Sequence, residues 1–236
     1  MPPSFSALSG ALVSASIRLC LMAILALSAP LQARTPDNAD ANPEAATTAS
    51  VKALVHSRQW MAASANPLAT EAGTWALKKG GSAVDAAIAM QLVLSLVEPQ
   101  SSGLGGGAFM LTFDAASRTV KSYDGRETAP LAARDERFLM DGKPVAFMDA
   151  VNSGLSVGTP GLLRMLELAH RQHGRLPWAQ LFEPAIRLAE QGFPVSLRLH
   201  AQIAGNRDLY AQPAARAYFY PDGTAAPVGH LLKNPA

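Results

Sequence analysis

The chain has 236 residues, with 20 Lys and Arg against 18 Asp and Glu, so its formal net charge is +2. This length suits one large domain or two small ones, and it can bury a hydrophobic core without disulfides or metal ions. The nearly balanced charge and the aromatic content of 6% argue against nucleic acid as a partner, because that function needs a clustered cationic surface.

A short apolar run near the N-terminus predicts export. Nine apolar residues, Leu19–Leu27, follow Arg18, and small residues lead up to Ala33. This order is typical of a secretory signal peptide, and the run is far shorter than the roughly 20 residues that span a bilayer. We therefore predict a signal peptide over residues 1–33, no stable membrane anchor, and a periplasmic or secreted bacterial protein.

The cysteine and histidine content argues against a metal centre. Cleavage near Ala33 would remove Cys20, the only cysteine in the sequence. The mature protein would then have no disulfide, thiolate nucleophile or Cys-ligated zinc. His170 and His173 have a spacing that could place two imidazoles on one helix face, but without a nearby third ligand we expect helix-terminal polar residues. No metal and no cofactor are predicted.

The ordered part of the chain is predicted to begin near Val51. Residues 34–50 are rich in Ala, Thr, Asn, Asp and Pro, which is typical of a flexible lead-in. Further on, Asn66 as N-cap and Pro67 at the first helical position predict the start of a helix. Gly80–Gly81 should end it.

A second helix is predicted directly after the first, over AVDAAIAMQLVLSLV. Ser82, followed three residues later by Asp85, resembles a capping box with Asp in place of the usual Glu or Gln. The segment is apolar nearly all round, which predicts a buried helix. It should end at Glu98–Pro99.

A glycine-rich segment and a hairpin follow. Four glycines fall within Gly103–Gly107, and the strand-like runs Ala108–Phe113 and Arg118–Tyr123 are separated by about four residues. The glycines formally fit a dinucleotide-binding pattern, but that site needs the order strand, glycines, helix, whereas the order here is helix, glycines, strand. Close backbone packing and the lining of a substrate pocket both remain open for these glycines.

Three further helices are predicted, over Pro160–Gln172, Trp178–Glu190 and Ser196–Leu209. Thr159 could cap the first of them, and Gly174 should end it. Helices on both sides of a hairpin in the sequence predict a mixed α/β fold packed in layers.

The string Gly154–Gly158 fits the G-x-S-x-G pattern of serine hydrolases, with Ser156 as nucleophile. Asp208 and His230 could complete a Ser-Asp-His order. However, that pattern needs a buried strand before the serine and a helix directly after it, whereas polar residues precede Ser156 and Pro160 delays the helix. A plain loop serine is therefore favoured, and the serine hydrolase is kept as an alternative.

A further candidate site is the string DGRETAP, which covers Asp124–Pro130. Gly125 permits a tight turn, and Arg126 at a strand end could hold a carboxylate with its bidentate fork. Asp124 and Glu127 could fix the guanidinium. From the spacing alone, a surface Arg in a local salt bridge is the favoured interpretation.

Several long segments together resemble one known family. They are NPLATEAG, KKGGSAVDAAIAMQLVLSLVEPQSSGLGGGAFML, YDGRETAP, VGTPG and HGRLPWAQLFEPAIRLAEQGFPV. In this order and spacing they are similar to the γ-glutamyltranspeptidases, also called glutathione hydrolases. The resemblance covers roughly Val51 to Ala236.

This resemblance implies the αββα sandwich of the N-terminal-nucleophile hydrolases, which would be incomplete in this chain. It implies a proenzyme that cleaves itself into two subunits, with residues 51–236 as the N-terminal, truncated portion of the large subunit. The new N-terminal Thr of the small subunit attacks γ-glutamyl amides, and the acyl-enzyme passes its γ-glutamyl group to water, amino acids or peptides. That Thr would lie beyond Ala236, so no catalytic residue is expected here, and the fragment alone should be inactive.

The resemblance also changes the interpretation of Arg126, which in this family grips the α-carboxylate of the γ-glutamyl group. The implied partners are a small-molecule substrate such as glutathione and the small subunit from the same precursor. Two alternatives stay open beside this function: a serine hydrolase using Ser156, and a non-catalytic remnant that binds glutamyl compounds. A relative that acts on other amides, such as a cephalosporin acylase, is a third.

Overall fold

The computed structural model describes residues 53–235. The predicted signal peptide at residues 1–33 and the lead-in at residues 34–50 lie outside the described residues. Within the described range, none of the helices combines the length and the hydropathy needed to cross a membrane.

The described part of the chain mixes helices with short antiparallel strand pairs, which confirms the predicted α/β class. The α-helices are α1 (Pro67–Lys78), α2 (Ala83–Val97), α3 (Phe147–Val151), α4 (Leu162–His173), α5 (Glu183–Gln191), α6 (Leu197–Gly205), α7 (Arg207–Ala211) and α8 (Pro213–Phe219). The strands are β1 (Phe109–Asp114), β2 (Thr119–Asp124), β3 (Leu139–Met140), β4 (Lys143–Pro144), β5 (Phe193–Pro194) and β6 (Leu231–Leu232). Within the described residues the strands form three antiparallel pairs, β1–β2, β3–β4 and β5–β6, and the last pair is connected through α6–α8.

The first two helices begin where their caps predict. The Asn66 side chain accepts a hydrogen bond from the Leu68 N–H, and a proline occupies the first position of α1. Ser82 and Asp85 form the predicted capping box, in which each side chain accepts from the other residue's backbone N–H. These local signals set the short turn that folds α2 back onto α1.

Helix α2 lies between two hydrophobic clusters, which explains why its sequence is apolar nearly all round. One face packs with α1, α5, α6 and β5 through Ala86, Ala89, Val93 and Val97. The opposite face packs with α4 and the end of β2 through Val84, Ile88 and Leu92. The prediction of a buried second helix is confirmed.

Strands β1 and β2 form the predicted hairpin, with Phe109 opposite Asp124 at its open end. The Tyr123 ring points into the cluster beneath α2, and its hydroxyl is within 2.8 Å of both Gln172 Oε1 and His173 Nε2. The opposite face of the hairpin is apolar and exposed, through Phe109, Leu111, Phe113 and Val120. We call these four side chains the outer hairpin face.

Helix α4 begins later than the sequence predicts. Thr159 does not cap it, because Thr159 pairs instead with Thr128 in an antiparallel bridge, where the Thr159 N–H donates to the Thr128 carbonyl at 2.8 Å. Gly161 is the residue before the helix, and α4 starts at Leu162. A tertiary contact has overridden a plausible local cap.

Two of the other predicted helices are divided. The segment predicted as Trp178–Glu190 starts as a 3-10 helix over Trp178–Phe182 before α5 begins. The segment predicted as Ser196–Leu209 breaks at Asn206, whose side chain accepts from the Leu209 N–H and so begins α7. Helices α3 and α8 are additions that the sequence analysis missed.

Candidate functional site

Arg126 leaves the sheet directly after β2. Beyond the hairpin, Ala108 and Gly125 exchange two backbone hydrogen bonds, of 2.9 and 3.2 Å, so the strand pairing continues up to Gly125. The Asp124 Oδ1 then accepts from the Arg126 N–H at 2.9 Å, which turns the chain out of the sheet. The Arg126 side chain therefore starts from a fixed point at a strand end.

The guanidinium of Arg126 is exposed and has one anionic neighbour. Its Nη1 lies 3.1 Å from Glu127 Oε2, and 67% of the side chain is exposed. Within residues 53–235, Glu127 is the only carboxylate in ion-pair range of Arg126. The expectation that Asp124 would also fix the guanidinium is wrong, because its carboxylate binds the backbone instead. Most of the five N–H donors of Arg126 remain available to a bidentate ligand.

Glu127 is confined between two glycines. A Cβ at Gly107 would lie 2.5 Å from Glu127 Oε2, and a Cβ at Gly158 would lie 2.8 Å from Glu127 Cβ. Only glycine leaves room for the backbone to approach this closely. Packing therefore explains Gly107, whereas nothing lies within 4 Å of a Cβ placed on Gly103 or Gly105.

Three segments thus support the base of Arg126, and we call them the Arg126 platform: residues 106–108, 124–128 and 158–162. The start of α4 joins the platform because the N–H groups of Gly161 and Leu162 both donate to the Gly106 carbonyl, at 3.3 and 3.1 Å. The platform places a cation above a base whose segments are joined by backbone hydrogen bonds. Such a group is suited to bind and orient a carboxylate.

Ser156 does not lie in a nucleophile elbow. It ends a short 3-10 helix, and its hydroxyl donates to the backbone carbonyls of Val151 and Ser153. The Asp208 carboxylate accepts instead from Asn152 Nδ2 at 2.7 Å. No hydrogen bond in the described part of the chain joins Ser156, Asp208 and His230, so the structure does not assemble this triad.

The two helix-spaced histidines make separate structural contacts. His170 Nε2 is 2.8 Å from the Leu176 carbonyl oxygen, and His173 Nε2 is 2.8 Å from the Tyr123 hydroxyl. Over residues 53–235, no group of three or more His, Cys, Asp or Glu side chains is placed to hold a metal ion. Both histidines are helix-end residues, as expected.

Arg137 is a residue that the sequence analysis missed. Its guanidinium binds three backbone carbonyls of residues 154–157, which lead directly into the Arg126 platform. The surrounding string RDERF reads as a charged surface segment, so no sequence signal marks this contact.

Known proteins are similar in sequence to most of this chain. A family model described as Gamma-glutamyltranspeptidase matches residues 69–236. The glutathione hydrolase proenzyme of Bacillus subtilis is 37% identical over 215 residues, which cover 91% of this chain and 36% of that protein. Scoloptoxin SSD14 of Scolopendra dehaani is 43% identical over 181 residues, which cover 76% of this chain and 30% of that protein. The chain spans about a third of the length of these relatives.

Solved structures share the fold. The γ-glutamyltranspeptidase of Helicobacter pylori matches with a TM-score of 0.72 at 30% identity, over 77% of this chain and 52% of that one. A cephalosporin acylase of Bacillus halodurans matches with a TM-score of 0.65 at 28% identity, over 82% of this chain and 37% of that one. The transpeptidase CapD of Bacillus anthracis matches with a TM-score of 0.59 at 32% identity, over 75% of this chain and 55% of that one.

Proposed function

The chain belongs to the γ-glutamyltranspeptidase family, and from this premise we propose that the protein cleaves γ-glutamyl amides such as glutathione and passes the γ-glutamyl group to water, amino acids or peptides. Its fold class is the N-terminal-nucleophile hydrolase sandwich, present here in part. Within residues 53–235, that part comprises the β1–β2 hairpin, the helices packed on its inner face and two shorter strand pairs.

The observation that carries the proposal is Arg126 on its platform. A γ-glutamyl group has an α-carboxylate at a fixed distance from the amide that is cleaved. A guanidinium with free donors can bind that carboxylate through two parallel hydrogen bonds, which sets both the position and the orientation of the substrate. The intact DGRETAP string around Arg126 supports the same role.

In this proposal the described residues bind substrate and do not perform the covalent step. The nucleophile is the N-terminal Thr of a small subunit, in a segment beyond Ala236. Its hydroxyl oxygen attacks the γ-carbonyl carbon, the amine leaves with a proton, and an ester-linked acyl-enzyme forms. Water or an acceptor amine then attacks the ester and regenerates the Thr hydroxyl. Residues 51–236 supply the N-terminal portion of the large subunit.

The outer hairpin face supports the small subunit as a partner. Its four apolar side chains are all more than half exposed, and isolated sheet faces of this kind pack against another layer in sandwich folds. The segment that we propose to cover this face is the remaining sheet of the same precursor. An aspartate there would leave a buried, unpaired charge.

Leu111→Asp is therefore expected to weaken association of the two subunits at least roughly 10-fold, because an unpaired carboxylate costs several kcal/mol on burial. Sedimentation of the mature protein measures the fraction of paired subunits. Lys121→Asp is the matched control, since Lys121 is exposed on the other face of the hairpin. Equal association of both variants with the wild type would contradict this partner surface.

The proposed function is tested on the intact protein recovered from the exported fraction of bacterial cells. We expect an N-terminus near residue 34, since we propose a signal peptide over residues 1–33, and release of amine from a γ-glutamyl anilide. Ser156→Ala should leave that rate unchanged. Activity lost in Ser156→Ala would favour the serine hydrolase, and calorimetric binding of glutamate without turnover would favour the glutamyl-binding remnant. A retained Met1 would contradict cleavage of residues 1–33 as a signal peptide.

A further inference from the structure

Arg137 is held by three backbone carbonyls of one loop. Its Nε donates to the Leu155 carbonyl, and its Nη2 lies 3.1 Å from the Gly154 oxygen and 3.3 Å from the Val157 oxygen. No carboxylate of residues 53–235 is in ion-pair range of this guanidinium. The donors of Arg137 are therefore directed at the backbone of residues 154–157.

This loop continues into the Arg126 platform. Gly158 follows Val157 directly and is one of the two glycines against which Glu127 packs. Thr159 comes next, and it exchanges backbone hydrogen bonds of 2.8 and 3.3 Å with Thr128. A displacement of residues 154–157 would therefore move the wall behind Glu127, the ion-pair partner of Arg126.

We propose that Arg137 is a positioning residue for carboxylate binding by Arg126, an inference that rests on the proposed function. Hydrogen bonds from a charged donor are shorter and stronger than neutral ones, and three of them on one loop fix its path. The link runs from Arg137 through the loop to Gly158 and Glu127, and from there to the guanidinium of Arg126. Arg137 itself does not touch the substrate.

The experiment measures kcat and KM of the intact enzyme with a γ-glutamyl anilide. Arg137→Met removes every donor and keeps a long apolar stem, whereas Arg137→Lys keeps the charge. Arg134→Met is the matched control, because Arg134 is exposed, directly precedes the 3-10 helix Asp135–Phe138 that contains Arg137, and makes no capping hydrogen bond.

We expect Arg137→Met to raise KM about 10-fold and to change kcat less than about 2-fold, because a displaced guanidinium loses binding that the ground state and the transition state share. Arg137→Lys should fall between this variant and the wild type. Arg134→Met should match the wild type. A purely structural role would lower the amount of folded, active enzyme and leave KM unchanged.

A double-mutant cycle with Arg126→Lys tests whether Arg137 changes KM through Arg126. If Arg137 acts through Arg126, then Arg137→Met should raise KM less than about 3-fold in the Arg126→Lys enzyme. Full additivity, an unchanged KM, or failure of both Arg137 variants to yield folded enzyme would overturn the inference. If the wild type and Arg134→Met release no amine, the proposed function itself fails, and this inference fails with it.

Discussion

Arg126→Lys should lower kcat/KM for a γ-glutamyl anilide about 10- to 150-fold, which corresponds to the loss of one charge-assisted hydrogen bond of roughly 1.5–3 kcal/mol. Lysine keeps the positive charge but presents a single ammonium in place of a planar fork. The geometry favours a large effect, because the Arg126 side chain projects from a strand end that is held by the Ala108–Gly125 backbone pair and by the Asp124 side chain. Steady-state kinetics of the intact enzyme measure it.

Arg118→Lys is the matched control for this substitution. Arg118 is exposed in the β1–β2 turn, at the far end of the hairpin from Arg126. The same chemical change there should leave kcat/KM within about 2-fold of the wild type, since exposed surface substitutions rarely matter. If Arg126→Lys behaved like Arg118→Lys, Arg126 would have no part in substrate binding.

The largest loss of stability is expected from Asp85→Ala. Asp85 is fully buried, and its Oδ2 accepts from the backbone N–H groups of Ser82 at 2.8 Å, Arg175 at 2.8 Å and Leu176 at 3.3 Å. One carboxylate oxygen thus caps α2 and ties its start to the segment after α4. Alanine would leave these three partly buried backbone donors without their common acceptor.

We expect Asp85→Ala to lower the free energy of unfolding by about 3–5 kcal/mol, because three donors lose their acceptor and each one that stays shielded from water costs roughly 1–3 kcal/mol. Ser82→Ala is the matched control, because it removes only the cap and should cost about 1 kcal/mol. Urea denaturation of the intact protein compares the two variants. Equal losses would show that the bonds to Arg175 and Leu176 contribute nothing.

The first two helices were predictable because their signals are local. The N-cap at Asn66 and the capping box of Ser82 and Asp85 involve residues at most three positions apart, and the structure confirms both. The apolar pattern of α2 predicted its burial. However, no pattern indicated that Asp85 also binds the backbone 90 residues away, since that bond depends on how α4 packs.

The errors arose where distant segments meet. The sequence predicts Thr159 as a helix cap, but in the structure its backbone pairs with Thr128 in an antiparallel bridge. Ser156 was not such an error, because a nucleophile elbow requires a strand and a helix at fixed positions, and their absence from the sequence already favoured a plain loop serine. The sequence does not indicate the contacts of Arg137, because its partners are backbone carbonyls. Every residue has such a carbonyl, so no residue type identifies the partner.

The sequence predicts Arg126 as the key residue of the candidate site, but it does not predict the segments that hold Arg126 in place. The resemblance of DGRETAP to a known motif singled out Arg126. The spacing alone favoured a salt bridge, and the structure contains one, with Glu127. The platform beneath Arg126 combines residues from three separate segments. Their contact is a property of the folded chain.

In the proposed function, Arg126 recognises the α-carboxylate of a γ-glutamyl substrate. The most direct test compares a γ-glutamyl anilide with the 4-aminobutyryl anilide, which lacks that carboxylate, in the wild-type and Arg126→Lys enzymes. The wild type should prefer the carboxylate-bearing substrate strongly, and Arg126→Lys should reduce this preference about 10- to 150-fold by slowing only the γ-glutamyl reaction. An equal loss of kcat/KM on both substrates, or an unchanged preference, would contradict carboxylate recognition by Arg126.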